Sequence, residues 1–97
     1  MMGTESKFNL GRMYLTWGVN NLVAESLEFA KFVTASLRRH ANGDWGDVGR
    51  EDWLSNEDAL KRDLRLFSAY YETGKPRIWI ITESDRSCTT VLFPDEY

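Results

Sequence analysis

Leu64-Arg65-Leu66-Phe67-Ser68-Ala69-Tyr70-Tyr71, Arg77-Ile78-Trp79-Ile80-Ile81-Thr82-Glu83 and Thr89-Thr90-Val91-Leu92-Phe93 are three β-rich runs separated by two short turn segments, Thr73-Gly74-Lys75-Pro76 and Ser84-Asp85-Arg86-Ser87. From Leu64 onward the pattern has a period of two, the repeat that sends successive side chains to opposite faces of a pleated strand. Connections this short join antiparallel neighbours, because a parallel crossover needs about a dozen residues or more. The C-terminal third is therefore expected to be an antiparallel three-strand meander, closed by Pro94.

Upstream of the meander the period lengthens. Ala30, Val33, Leu37 and Ala41 recur at helical spacing, with Leu27, Phe29 and Phe32 widening the apolar stripe. Ser26 is the expected N-cap, Glu28 complements the dipole in the first turn, and Arg38, Arg39 and His40 fill the last. Asn42-Gly43 supplies a left-handed stop. Gly43-Asp44-Trp45-Gly46-Asp47-Val48-Gly49 reads as a loop of tight turns. A second helix is expected from Glu51 or Ser55 to about Lys61–Leu64, with Trp53, Leu54, Ala59, Leu60 and Leu64 on its apolar face. Phe8 to Trp17 reads as a strand, with Gly11 marking a bulge or strand end and Gly18 and Asn20-Asn21 breaking it. The order β-α-α-β-β-β predicts an α+β fold with two helices packed on an antiparallel sheet.

The 97 residues suffice for one domain spanning 1–97, and no repeat or linker divides them. Residues 1–7 are polar and expected to fray. A single cysteine, Cys88, cannot form an internal disulfide, and no apolar leader or stretch of about 20 apolar residues occurs. These features predict a cytoplasmic protein with no membrane partner.

The net charge of −3 disfavours unaided binding to a phosphate backbone. Its distribution is uneven. Residues 1–40 carry a balance of +2, residues 41–63 carry seven acids and a balance of −4, and the remainder sums to −1. Between residues 44 and 58, Asp44, Asp47, Glu51, Asp52, Glu57 and Asp58 face a single base, Arg50.

Residue types for catalysis are sparse. One His and one Cys leave zinc without a paired-ligand spacing, and Asp44 and Asp47 near His40 do not follow the calcium-loop pattern. They read as turn-forming and capping aspartates. Cys88 with His40 is the one thiol–base combination, and Ser84 and Ser87 lack a nucleophile elbow. His40 reads instead as a helix-end residue facing the dipole. Glu83 and Asp85, beside Arg86, read as a turn salt bridge. Gly43, Gly46 and Gly49 are interleaved with Asp, which repels phosphate. No catalytic residue, cofactor or metal is therefore expected, and the chain reads as a non-enzyme.

Two binding readings remain. In the first, Asp44, Trp45, Asp47, Glu51, Asp52 and Trp53 form an acidic, Trp-bearing surface for a protein partner with a basic surface. That reading expects Asp44, Asp47, Glu51 and Asp52 exposed, over a core containing Ala30, Val33, Leu37, Leu60, Leu66 and Ile80. In the second, Arg38 and Arg39 act with Tyr14, Tyr70, Tyr71 and Trp79 as an accessory nucleic-acid-binding module. Self-association is open in either case.

The segments Phe8-Asn9-Leu10-Gly11-Arg12, Gly43-Asp44-Trp45-Gly46-Asp47, Leu66-Phe67-Ser68-Ala69-Tyr70 and Ile78 through Pro94 resemble a family of short bacterial proteins encoded on plasmids and integrated elements. Its members are labelled hypothetical, plasmid-related or, in some cases, type I restriction subunit. The last label cannot be literal for a chain this short, which has no methyltransferase motif. The resemblance implies a mobile-DNA setting. In that setting small acidic proteins often inhibit host defence, as anti-CRISPR or anti-restriction proteins do. It brings no catalytic residue with it.

Overall fold

A computed structural model describes residues 6–97. The described elements run β1 (Arg12–Leu15), α1 (Trp17–Glu25), α2 (Leu27–Ala41), α3 (Arg50–Arg62), β2 (Leu66–Tyr70), β3 (Ile78–Thr82) and β4 (Cys88–Leu92). A 3-10 turn, Pro94–Glu96, follows. The class is α+β, and β2, β3 and β4 form the expected antiparallel meander, with Ser68 opposite Ile80 and Ile80 opposite Val91. Of the expected fraying over residues 1–7, residues 1–5 lie outside the described residues, and the Lys7 amide donates to the Ala41 carbonyl at 2.8 Å.

The sheet is mixed, not wholly antiparallel. Its order is β1-β4-β3-β2, and β1 runs parallel to β4 with Arg12 opposite Cys88 and Leu15 opposite Val91. The helices carry the chain from β1 to the far edge of the sheet as one long crossover, which preserves strand direction. Two hairpin reversals after β2 then bring β4 back alongside β1 in the same sense.

The second correction is a third helix. Trp17–Glu25 is helical, although Gly18, Asn20 and Asn21 are weak helix formers. Val19, Leu22 and Val23 supply the apolar face that packs into the core. The Thr16 side chain does not cap the helix. Its cap arrives from the other end of the chain: the Glu96 carboxylate accepts from the Gly18 amide at 2.8 Å and from the Thr16 hydroxyl. The expected strand over Phe8–Trp17 accordingly shrinks to Arg12–Leu15. Gly11, at φ +67°, precedes it where any Cβ would strike the Ser87 carbonyl.

Helix α2 forms as its sequence predicts, except that Leu27, expected on the apolar stripe, is exposed at the helix start. The Ser26 hydroxyl accepts from the Phe29 amide at 3.1 Å, and Gly43 leaves the helix at φ +80°. The main core joins Phe29, Phe32 and Val33 to Tyr70, Ile78, Ile80 and Val91 on the helix-facing side of the sheet. Val33, Leu66 and Ile80 are buried as expected, while Ala30, Leu37 and Leu60 are half-buried. Burying each large aliphatic side chain contributes roughly 1.5–3 kcal/mol. No described helix is long and apolar enough to cross a membrane.

Candidate partner-binding surface

The loop between α2 and α3 does not stand off the fold. Gly46 bridges to Ala69 as a short parallel pairing, and the Asp47 amide donates to the Ala69 carbonyl at 2.7 Å. Gly46 sits at φ +75°, where a Cβ would collide with the Ala69 carbonyl. Two residues along the edge of β2, the Asn56 side chain completes the cover. Its amide donates to the Phe67 carbonyl at 2.6 Å and its oxygen accepts from the Phe67 amide at 3.0 Å. Loop and side chain together satisfy the outward main-chain groups of β2 at Phe67 and Ala69.

This docking decides the fate of Trp45. Its exposure is 0%, and Phe8 and His40 pack on it with ring centroids at 6.2 and 5.5 Å. The indole Nε1–H donates to Glu57 at 2.8 Å. Trp45 is therefore a core residue and cannot anchor a partner. Its one polar atom has an internal acceptor, so burying it carries little polar cost.

Asp44 is engaged within the chain. It is half-buried, not exposed as expected, and its oxygens accept from Arg39 at 2.7 and 3.2 Å and from the Gly46 amide at 3.1 Å. The Arg39 hydrogen bond holds its pKa below the usual carboxylate value. Glu57 serves Trp45, and Asp58 pairs with Arg62 at 3.1 Å. What remains of the acidic surface is Asp47, Glu51 and Asp52. All three are exposed, and none has an ion-pair partner among the described residues. Glu51 and Asp52 lie in the first turn of α3, and Trp53 is half-buried against the Trp45 cluster. Asp47 is presented rigidly, because its own amide is fixed to β2.

His40 is not a solvent-facing helix end. It has 0% exposure and begins a buried chain of polar side chains. Nδ1 lies 2.6 Å from Ser68 Oγ and Nε2 2.9 Å from Thr82 Oγ1; Thr82 Oγ1 lies 2.7 Å from Thr89 Oγ1, and Thr89 Oγ1 donates to the Leu10 carbonyl at 2.7 Å. A carbonyl only accepts, so Thr82 donates to Thr89 and His40 Nε2–H donates to Thr82. Burial, with the Arg86 cation adding to it, pushes the imidazole pKa down to about 3. The ring is neutral, and its unprotonated Nδ1 accepts from the Ser68 hydroxyl. The Ser68–His40 spacing suits a nucleophile and base, but both are sealed from solvent. Cys88 shares a face with its pairing partner Arg12, opposite to the face of neighbouring Thr89, so the thiol and His40 are not brought together.

The remaining candidates also take structural roles. Arg86, at φ +61°, does not pair with Glu83 or Asp85. Its guanidinium donates to the carbonyls of Leu64 at 2.6 Å, Ala59 at 3.1 Å and Glu83 at 3.1 Å, closing the C-terminal end of α3. Glu83 faces Arg65 at 3.7 Å, and Asp85 accepts from the Ser87 amide at 3.0 Å. Among the described residues no group of three or more His, Cys, Asp or Glu side chains is arranged to hold a metal.

The nucleic-acid constellation is not assembled either. Tyr70 is fully buried, with its hydroxyl donating to the Asp44 carbonyl at 2.6 Å and Arg39 over its ring. Trp79 and Tyr14 point away from α2, on the open face of the sheet, whereas Arg38 and Arg39 belong to α2. There Trp79 packs edge-on to Phe67 and Tyr97, with Arg65 over the Tyr97 ring. Sequence reasoning missed this open-face cluster, the Asn56 edge cover and the Glu96 cap. Alternation from Arg65 to Ile81 carried a signal for the first; the other two have none locally.

Compared with known proteins, the chain matches no family model, no curated protein and no solved structure. Among the described residues the chain is a three-helix, mixed-sheet α+β domain whose Asp47, Glu51 and Asp52 carboxylates are exposed and without an ion-pair partner.

Proposed function

We propose that this chain is a non-enzymatic binding protein that receives a basic protein surface on Asp47, Glu51 and Asp52. The observation that supports it is the state of these carboxylates: exposed and unpaired among the described residues, with Asp47 on the loop pinned to β2 and Glu51 and Asp52 in the first turn of α3 that follows it. Elsewhere in residues 44–58 the acids are spent internally, Asp44 on Arg39, Glu57 on Trp45 and Asp58 on Arg62. Unpaired charges on a rigid frame steer association with an oppositely charged partner. In the mobile-element setting that the family resemblance implies, the partner is a host nucleic-acid-targeting complex, and occupying its basic groove inhibits it. Trp45 has no part in this surface, and Trp53 contributes at most its exposed edge.

The test compares the parent chain with Asp47→Lys/Glu51→Lys in affinity capture from the bacterial host, followed by titration against the purified partner. The expected result is a partner with a basic surface whose association slows on charge reversal and with added salt, while the melting temperature holds. Capture that ignores the reversal, or salt-sensitive binding of the isolated chain to DNA or RNA, overturns the reading.

A further inference from the structure

The two edges of the sheet are treated differently. Along β2 the outward main-chain groups of Phe67 and Ala69 are satisfied by Asn56 and by the 45–47 segment. Along β1 the described chain offers nothing comparable. Arg12 N–H donates to the Ser87 carbonyl and Thr16 N–H to the Val91 carbonyl, both at 3.0 Å. Main-chain groups alternate sides along a strand, so Arg12, Tyr14 and Thr16 face β4, while Met13 and Leu15 direct their N–H and C=O outward. No described loop or helix bonds to those outward groups. The edge also carries exposed apolar side chains: Met13 is 42% exposed, Tyr14 48% and Trp17 81%. An open edge flanked by apolar residues is a template for another strand.

We propose that β1 is the interface of a homodimer, in which β1 of a second copy pairs antiparallel across a two-fold axis and extends the sheet. The strand is complementary to itself. With Tyr14 facing Tyr14 of the second copy at the dyad, Met13 falls opposite Leu15, and the outward amides and carbonyls of both residues find partners. The same register sets Arg12 opposite Thr16 of the second copy. The Thr16 hydroxyl donates to the Glu96 carboxylate, so Arg12 meets a carboxylate there. Within one chain neither Arg12 nor Glu96 has an ion-pair partner among the described residues. The covered β2 edges then end the extended sheet on both sides, so the assembly is a closed dimer and not a fibre. This surface is separate from Asp47, Glu51 and Asp52, so the charge-reversed chain should dimerise like the parent.

The test is sedimentation velocity of the full chain over micromolar concentrations, combined with oxidative cross-linking. The dimer fraction should rise with concentration. Tyr14→Cys in a Cys88→Ser background should form an intermolecular disulfide, because facing Cβ atoms in an antiparallel pair lie about 4.5–5.5 Å apart. Met13→Cys in the same background should not. Met13→Pro removes an outward N–H that makes no bond to the described residues, and should raise the dimer dissociation constant at least about tenfold. Should that variant misfold, the cross-linking result stands alone, since Tyr14 is exposed. A chain that stays monomeric leaves this edge to a different protein and overturns the proposal. So does a dimer that Tyr14→Cys fails to trap.

Discussion

Trp45 donates its indole N–H to Glu57 at 2.8 Å from a position with no solvent exposure, so the most conspicuous aromatic of the acidic segment holds the fold together. It ties the α2–α3 loop to the middle of α3 and packs against both Phe8 and His40, whose rings also meet each other edge-on. Trp45→Ala should therefore cost about 3–5 kcal/mol, the range for truncating a large buried aromatic. Urea denaturation followed by far-UV circular dichroism measures this. A loss below about 1 kcal/mol would show that the cavity is not formed.

His40 gives stability a pH dependence of definite sign. The folded pKa of about 3 lies below the ordinary value of 6.5, so below pH 6.5 the unfolded chain binds a proton that the folded chain refuses. The contribution is fully present above that pH and is lost as pH falls toward 3, with a limiting slope of about 1.4 kcal/mol per pH unit. Asp44, Asp85 and Glu96 have lowered pKa values, so their contributions disappear only below the ordinary carboxylate range. Between pH 6.5 and about pH 5 the slope therefore reports His40. Comparing chemical denaturation of the parent with His40→Gln in that interval should show the slope vanish in the variant.

Asn56→Ala should expose the Phe67 amide and carbonyl at the β2 edge. Leaving such groups without partners costs about 1–3 kcal/mol, and the opened edge favours intermolecular pairing. Light scattering at elevated protein concentration should show aggregation in the variant before the parent. An equally soluble and stable variant would mean that water replaces Asn56 without penalty.

Glu96→Ala should loosen α1 and leave the meander intact, because Glu96 accepts from the Gly18 amide and from Thr16 at the start of that helix. Amide hydrogen exchange is the direct measurement. Protection should fall within Trp17–Glu25 and persist at Ile78–Thr82 and Cys88–Leu92. Uniform loss across all strands would make the C-terminal latch a global element, not a local cap.

Gly46→Ala should be among the most disruptive small substitutions. It combines a positive φ with a collision against the Ala69 carbonyl, and relieving either one detaches the loop from β2. Denaturation midpoints should place it well below Gly49→Ala, whose Cβ would meet no atom within 4 Å.

Local pattern alone determined the meander and α2. The period-two runs ending at Tyr71, Glu83 and Phe93, the turn residues between them, and the Ser26 cap with its Gly43 stop each act within a few residues, and the strands observed there end one residue earlier, at Tyr70, Thr82 and Leu92. Short-range sterics and side-chain alternation suffice for such elements. The acids of the candidate surface were legible too, but not which of them remain available. Arg39 lies close enough in sequence to suggest a partner for Asp44, whereas Glu57 is claimed by Trp45 only once the loop has closed. Three features belonged to the tertiary structure. Helix α1 depends on a cap from Glu96, the parallel pairing of β1 depends on where the helical crossover returns the chain, and the burial of Trp45 and His40 depends on the loop meeting the β2 edge. In each case the deciding partner is far away in sequence. Propensity cannot register a hydrogen bond or a packing surface that exists only after the chain has folded.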